Sequence, residues 1–286
     1  MRKLQGAVAV VTGAGSGIGR ALAINLAARG AQLALADVNA AGLEETRKLL
    51  GSASARTYSV DVADAAAVQN FAWSVGKDFG GASLLVNNAG VALHGTFAEL
   101  SLEEMEWLIR INFWGVVYGC KFFLPLLERA AEAHIVNVSS VFGLIGPPGH
   151  SAYCSSKFAV RGFSECLREE LRATPVKVTC VHPAGIATRI AETARVGAAT
   201  RVGEYAQVLE RASQVLTIPP EEAAQTIVRG ILGDKNRVLI GKDAYRIDFL
   251  QRLMPARANA MLSAWLQKRI EKDESRLATG AKTVRS

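Results

Sequence analysis

Short β-branched runs alternate with longer helical stretches along this chain, and the alternation predicts an α/β fold with a parallel sheet covered on both faces. Two further observations point the same way. The first apolar run passes through a glycine-rich turn straight into a helical stretch, the unit from which such sheets are built. At 286 residues, half of them hydrophobic and a fifth charged, the chain can bury a large core in one α/β domain.

The predicted strands are Ala7–Thr12, Gln32–Asp37, Arg56–Val60, Ser83–Asn87, His134–Ser139, Val176–His182 and Arg237–Ile240. Most are short runs of β-formers bounded by glycine or polar residues. Helices are predicted over Gly17–Arg29, Ala40–Leu50, Ala65–Phe79, Leu102–Ala130, Ser151–Ala173 and Pro220–Gly230, where apolar residues recur at helical spacing. Gly30 closes the first helix, and Pro219–Pro220 opens the last. Residues 187–218 lack a strand signal, are rich in Ala, Thr, Arg and Gly, and read as a mobile helical flap. The chain divides into a domain over 1–245 and a basic helical extension over 246–286 that frays into a polar tail.

Composition narrows the class. The run AVAVV near the start is too short for a signal segment, and no stretch approaches 18 uninterrupted apolar residues, so a soluble, cytoplasmic protein is expected. Cys120, Cys154, Cys166 and Cys180 form no CxxC pair and read as small buried hydrophobes, with no metal site. The net charge of +7 points to an anionic partner or to a solvated basic tail, and much of the excess lies in the last stretch. No aromatic-interleaved basic platform accompanies it, so nucleic acid is not an expected partner.

The motifs sit where strands end. In AVAVVTGAGSGIGRALAINLAARG, Gly13, Gly17 and Gly19 give GxxxGxG, with Ile18 where the strict GxGxxG pattern needs its last glycine. Strand before and helix after are nevertheless the right context for a pyrophosphate on a helix N-terminus. A purely structural turn is the alternative, and a P-loop is excluded because no GK[ST] follows. The second strand ends in Asp37, whose carboxylate suits both hydroxyls of an adenosine ribose and repels a 2′-phosphate, favouring NAD over NADP. A cap on the next helix is the plainer role for the same side chain. Asp61 and Val62 end the third strand and can bound an adenine, and Asn87-Asn88-Ala89-Gly90 follows the fourth.

Tyr153 and Lys157 stand at i and i+4, on one face of the helix HSAYCSSKFAVRGFSECLREELRA. An ammonium beside a phenol lowers its pKa, which would fit the tyrosine for proton transfer near neutral pH. Ser139 and Ser140 end the fifth strand, and GLIGPPGHSA forms a loop that can return the chain so that serine and phenol converge. Asn112, in the otherwise apolar helix EEMEWLIRINFWGVVYGCKFFLPLL, must find polar partners: a neighbouring carbonyl, or a water leading to Lys157.

TGAGSGIG, NNAG, Asn112, Ser140 and YCSSK, in that order and context, resemble the short-chain dehydrogenase/reductase family over residues 5–245. The resemblance implies a single-domain, doubly wound Rossmann fold with a seven-stranded parallel sheet in the order 3-2-1-4-5-6-7, assembled as a tetramer or dimer. It implies an NAD(H)-dependent oxidoreductase interconverting a secondary alcohol and a ketone. Tyr153 would be the acid/base, Lys157 would tune it and bind the nicotinamide ribose, Ser140 would polarise the carbonyl, and Asn112 would anchor a relay water. Ser139 fits the family spacing less well than Ser140. Cofactor contacts would come from Gly13, Ser16, Gly17, Ile18, Gly19, Asp37, Asp61, Val62, Asn88, Ala89, Gly90, Tyr153 and Lys157, and from Pro183, Gly185, Ile186 and Thr188. One departure stands out: Pro183-Ala184-Gly185 replaces the usual Pro-Gly. A negative φ at Ala184 would leave the contacts of Ile186 and Thr188 in place; a positive one would not. NADP-dependent carbonyl reduction, or a silent dinucleotide-binding regulator, are the competing readings, and the second would be marked by a damaged tetrad.

Val141, Phe142, Leu144, His150 and Arg189 are the expected substrate wall, an apolar set suited to a hydrophobic alcohol or ketone. His94 could reach the same pocket, and His182 reads as a strand-end core residue. In the extension, Phe249, Leu250, Leu253 and Met254, then Met261, Leu262, Trp265 and Leu266, fall on one side among basic residues. Packing on the domain or on another subunit is the favoured expectation, with an anionic membrane surface as the alternative.

Overall fold

The computed structural model describes residues 1, 3–200, 216–262 and 264. Its main sheet has seven strands, all parallel: β1 (Val8–Thr12), β2 (Gln32–Asp37), β3 (Ala55–Ser59), β4 (Leu84–Asn87), β6 (Ala133–Val138), β7 (Val176–Pro183) and β9 (Arg237–Ile240). They lie in the order β3-β2-β1-β4-β6-β7-β9, so the winding reverses between β1 and β4. In an open α/β sheet that reversal leaves a crevice at the carboxyl ends of the strands. The register brings Asp37 opposite Ser59, Asn87 opposite Asn137, and Val138 opposite Val181 along that edge.

Alternation along each strand sorts the core into two layers. On one face Ala9, Val11, Leu33, Leu35, Leu84 and Val86 pack with α1 (Gly17–Ala27) and α7 (Pro220–Leu232). On the other, Val10, Ala34, Leu85 and Ile135 pack with α3 (Ala65–Phe79), α5 (Gly115–Leu127) and α6 (Ser151–Glu170). The helices start where capping chemistry allows. Asn39 caps α2 (Ala40–Leu49), Asp64 caps α3, and Ser101 with Glu104 forms a reciprocal capping box on α4 (Leu102–Ile109).

Three expectations need correction. The helix predicted over Leu102–Ala130 is interrupted by a π turn, Arg110–Trp114, whose wider winding displaces Asn112 from a regular helical position. Residues 187–200 are not helical: β8 (Arg195–Val196) pairs with β5 (Leu93–His94), a ladder too short to leave a periodic signal. The rest of the predicted flap, 201–215, lies outside the described residues. Cys166 is exposed rather than buried, unlike the other three cysteines. The extension begins as a helix, α8 (Lys242–Leu253); the part from 265 onward, with Trp265 and Leu266, lies outside the described residues.

Below the crevice, buried polar groups tie α6 to the sheet. Asn87 donates from Nδ2 to Asn137 Oδ1 (2.9 Å), Asn137 donates to Ser164 Oγ (3.0 Å), and Ser164 donates to the Val160 carbonyl (2.7 Å). Truncating the middle member removes the best acceptor of Asn87 Nδ2, which keeps only long contacts to the Val116 carbonyl and Cys120 Sγ, and removes the donor to Ser164 Oγ. Asn137→Ala is therefore expected to cost about 1–3 kcal/mol in equilibrium urea unfolding, and an unchanged midpoint would show the chain of bonds to be dispensable.

Candidate active site

Each turn at the carboxyl edge is held by the next. After β1 the backbone turns through Gly13 (φ +65) and Gly17 (φ +51), a conformation that side-chain-bearing residues adopt with strain. The space is also closed to a side chain. A Cβ at Gly13 would lie 2.8 Å from Ala89 Cα, and one at Gly19 would land on the Gly13 carbonyl oxygen. The first amides of α1, at Gly17, Ile18 and Gly19, have no partner within the helix. Ser16 precedes them in extended conformation, and its side chain makes no cap. Asp37 stands at the lip: Oδ2 accepts from Gly15 N (2.9 Å) and Oδ1 from Asn39 N (2.9 Å). The carboxylate thus braces the glycine turn, while α2 is capped by Asn39 and not by Asp37.

Asn88, Ala89 and Gly90 form the second turn. Thr12 Oγ1 accepts from the amides of Asn88 (3.0 Å) and Ala89 (3.1 Å), and Asn88 Nδ2 donates to the Thr12 carbonyl (3.0 Å). Gly90 is pressed against the centre of the site, since a Cβ there would lie 3.2 Å from Asn112 Oδ1 and 3.4 Å from Lys157 Nζ. Asn112 is fully buried. Its Oδ1 accepts from Val91 N (2.8 Å), while Nδ2 donates to the Val91 carbonyl (3.0 Å) and to Ser156 Oγ (3.2 Å). The π turn thus aims an amide that clamps the NNAG turn to α6.

Ser140, Tyr153 and Lys157 come together as predicted, but the electrostatics differ from expectation. Burial pushes the Tyr153 phenol up to about 12, and the hydrogen bond from Ser140 is the influence that pulls it down. Burial lowers Lys157 to about 8. The lysine does not relieve the phenol in this arrangement because Nζ donates to the Val138 carbonyl (3.1 Å) and sits 5.6 Å from the tyrosine ring centroid. Ser139 is turned away from the phenol: its hydroxyl donates to the Lys157 carbonyl (2.8 Å). Ser140 Oγ also accepts from Phe142 N (3.1 Å) and opens the short 3-10 turn Val141–Gly143.

The remaining predicted residues divide. Pro183 ends β7, Gly185 has φ +64, and Asp234 is the one residue other than glycine with positive φ among those described, so Ala184 keeps the negative φ that the substitution requires. Ile186 bridges Ile218, and Thr188 reaches the glycine turn, where a Cβ on Gly17 would lie 3.0 Å from its Cγ2. Ser16, Gly17, Thr188 and Arg189 line a groove of about 720 Å³. Arg189 is therefore on the glycine-turn side, exposed and paired with Glu192 (3.4 Å), not on the substrate wall. Asp61 accepts from Ala63 N (2.9 Å), and Val62 packs against Gly115. Leu144 and Val141 are buried, the latter with Ala184 and Ala244. Phe142 and His150 keep open surface, and their rings chain to the tyrosine: His94 to His150 5.1 Å, His150 to Phe142 5.1 Å, Phe142 to Tyr153 6.1 Å. His182 is buried as predicted, with Nδ1 2.9 Å from the Ser140 carbonyl oxygen.

Several supporting residues escaped sequence reading. Thr12 lies inside TGAGSGIG, but its clamp on the NNAG turn crosses more than 70 residues. Arg20 donates to the Gly15 carbonyl and to Thr46 Oγ1, and Thr46 donates to the Ala14 carbonyl (2.8 Å), so α2 holds the glycine turn from behind. Ser156, which fixes Asn112, carried a hint only in its place between Tyr153 and Lys157. The assembled edge fits a dinucleotide: main-chain donors for a pyrophosphate, a carboxylate at the lip for ribose hydroxyls, and a phenol and a lysine at the far end.

Comparison with known proteins agrees with this geometry. Residues 7–198 match the family model described as short chain dehydrogenase. SadH of Mycobacterium tuberculosis, named as an oxidoreductase, is 44% identical over 272 residues, covering 94% of this chain and 98% of that protein. Epidermal retinol dehydrogenase 2 of Homo sapiens is 33% identical over 271 residues, covering 93% and 84%. A short-chain dehydrogenase/reductase from Burkholderia phymatum, solved in complex with NAD, superposes with a TM-score of 0.81 at 31% identity, covering 88% of this chain and 95% of that one. With glycine turn, NNAG turn, serine, tyrosine and lysine gathered on one sheet edge, this chain belongs to the short-chain dehydrogenase/reductase family of oxidoreductases.

Proposed function

We propose that the protein interconverts a hydrophobic secondary alcohol and its ketone with NAD(H), using Tyr153 as the proton donor and acceptor. The observation that carries this reading is the half-buried Tyr153 phenol beside the Ser140 hydroxyl, with Lys157 one turn away. Nicotinamide, when bound, supplies or accepts the hydride. Everything else falls to the chain's own groups. Ser140 donates to the substrate oxygen and polarises it; Tyr153 gives that oxygen its proton in reduction and takes it in oxidation. A phenol held up near 12 is protonated at neutral pH, so it carries the proton reduction needs although it is a weak acid, and the phenolate that oxidation needs is scarce. Alcohol oxidation therefore asks the Lys157 ammonium to swing from the Val138 carbonyl toward the phenolate. Asn112 would anchor a water that passes protons between Lys157 and solvent.

NAD is favoured by Asp37 and by the NAD complex of the Burkholderia phymatum relative. A hydrophobic substrate is favoured by the open face of Phe142 and by the retinol named in one relative. A homodimer or homotetramer working in the cytoplasm completes the reading, as is common in the family. A silent regulator is disfavoured because all four residues of the tetrad are present.

The decisive assay is NAD reduction at the nicotinamide absorbance band with a panel of lipophilic secondary alcohols. Tyr153→Phe is expected to lower kcat by about 100–10,000-fold while NADH binding, read by fluorescence, persists. Equal activity in that variant would mean another proton donor. For Asp37→Ala, the ratio of kcat/KM for NAD over NADP should fall by about tenfold or more, a change of ~1.4 kcal/mol; an unaltered ratio would reject the ribose-hydroxyl role. Lys157 provides a pH test. Its native pKa lies near 8, below the ordinary 10.5, so the unfolded chain holds the extra proton between those values. Stability from this group must then rise with pH across that window. Lys157→Met should flatten the rise and stabilise the protein at neutral pH by on the order of 1–3 kcal/mol, while turnover is lost. A less stable variant at neutral pH would show that the lysine is no burial cost.

A further inference from the structure

Helix α8 shows solvent a surface that neither the fold nor the proposed reaction uses. Its inner side is packed: Ala244 is buried, Ile247 lies against the cluster of Val141, Phe142, Ala184 and Leu239, and Asp248 pairs with Arg237. On its outer side Tyr245, Phe249 and Leu253 follow at i, i+4 and i+8, with 60, 65 and 63% of their surface open. That spacing makes one stripe along the helix. Exposed cations flank it, Lys242, Arg246 and Arg252, and Arg257 continues them beyond the helix end. The helix's two carboxylates pair with two of these cations, Asp243 with Arg246 and Asp248 with Arg252 as well as Arg237, so the excess positive charge beside the stripe comes from Lys242, from Arg257 and from the sequence beyond. From residue 242 onward the sequence carries ten lysines and arginines against five acidic residues, most of the net +7 of the whole chain.

Charge decides what such a stripe can meet. A second copy would set one net-positive segment against another. A nucleic acid would satisfy the cations and leave Phe249 and Leu253 without an apolar partner. An anionic bilayer meets both needs, with guanidinium groups at the headgroups and the three large side chains at the acyl boundary. No described helix is long and apolar enough to cross a membrane, so the contact is peripheral. We propose that the outer face of α8, centred on Tyr245, Phe249 and Leu253, docks on the surface of an anionic lipid bilayer. The inner face of the same helix packs on the Val141–Gly143 turn, and Asn259 Oδ1 accepts from Gly146 N (3.1 Å) in the loop that follows. Docking would therefore bring the loop that borders Tyr153 to the lipid surface. This deepens the hydrophobic-substrate reading and rests on it only for the purpose of docking, not for its occurrence.

The test is co-sedimentation of the full chain with vesicles of phosphatidylcholine alone or of phosphatidylcholine mixed with phosphatidylglycerol. The mixed vesicles should pellet the protein about tenfold more strongly, and raising salt from about 0.1 M to about 1 M should release it. Replacing the stripe together, Tyr245→Ser, Phe249→Ser and Leu253→Ser, should abolish pelleting; all three side chains are exposed, and retained NADH binding would show that the variant is folded. Equal or absent pelleting with both lipids, or full binding by the triple variant, overturns the proposal. So does a concentration-dependent self-association, read by analytical ultracentrifugation, that the triple variant loses while vesicles bind neither form. Failure of NADH binding or of turnover in the unaltered chain would count against the proposed reaction and leave the vesicle result standing on its own.

Discussion

Lys157 is fastened at both ends. Its ammonium donates to the Val138 carbonyl, its own carbonyl accepts from Ser139, and so α6 takes one position over the end of β6. The rest of the site depends on that constraint. Tyr153, one turn earlier, is carried to Ser140, and Ser156, between them, reaches Asn112 and holds it against the NNAG turn. A charge desolvated this way is costly, which is why the lysine is lowered to about 8 rather than sitting near its ordinary value. The protein keeps this costly charge where its bond to Val138 positions α6 over the site.

Around this lysine, burial does two kinds of work. Apolar alternation on the strands seals both faces of the sheet, with α1 and α7 on one side and α3, α5 and α6 on the other. Much of the polar burial gathers at the carboxyl edge and just beneath it, where Asn87, Asn137 and Ser164 bond in series, while His134 and Thr179 pair toward the amino end of the strands. Apolar packing would hold the helices with some freedom to slide, whereas directional bonds to strand side chains fix their register. The geometry of this edge thus rests on hydrogen bonds that are invisible to hydropathy.

The far edge of the molecule shows how one segment can serve two environments. The inner residues of α8 complete the small cluster behind Phe142, while its outer residues leave aromatic and aliphatic surface in water between arginines. A helix of this pattern is stable only because one face is packed; the other is available for a partner.

Sequence alone determined the local and periodic features. Strand limits, caps and helix starts follow from residue type, and the spacing of Tyr153 and Lys157 dictates a shared helix face. Asp37 falls at a strand end by count, and the negative φ at Ala184 meets the condition that its side chain imposed. Tertiary structure decided whatever depends on contacts between distant segments. The Thr12 clamp on Asn88 and Ala89, the turn of Ser139 toward Lys157, the two-residue ladder of β5 and β8, and the placement of Arg189 beside the glycine turn have no periodic signature. The tyrosine pKa belongs there too. Spacing told that an ammonium stands one turn from the phenol, but desolvation and the lysine's bond to Val138 set the sign of the shift, and both arise only once the chain is packed.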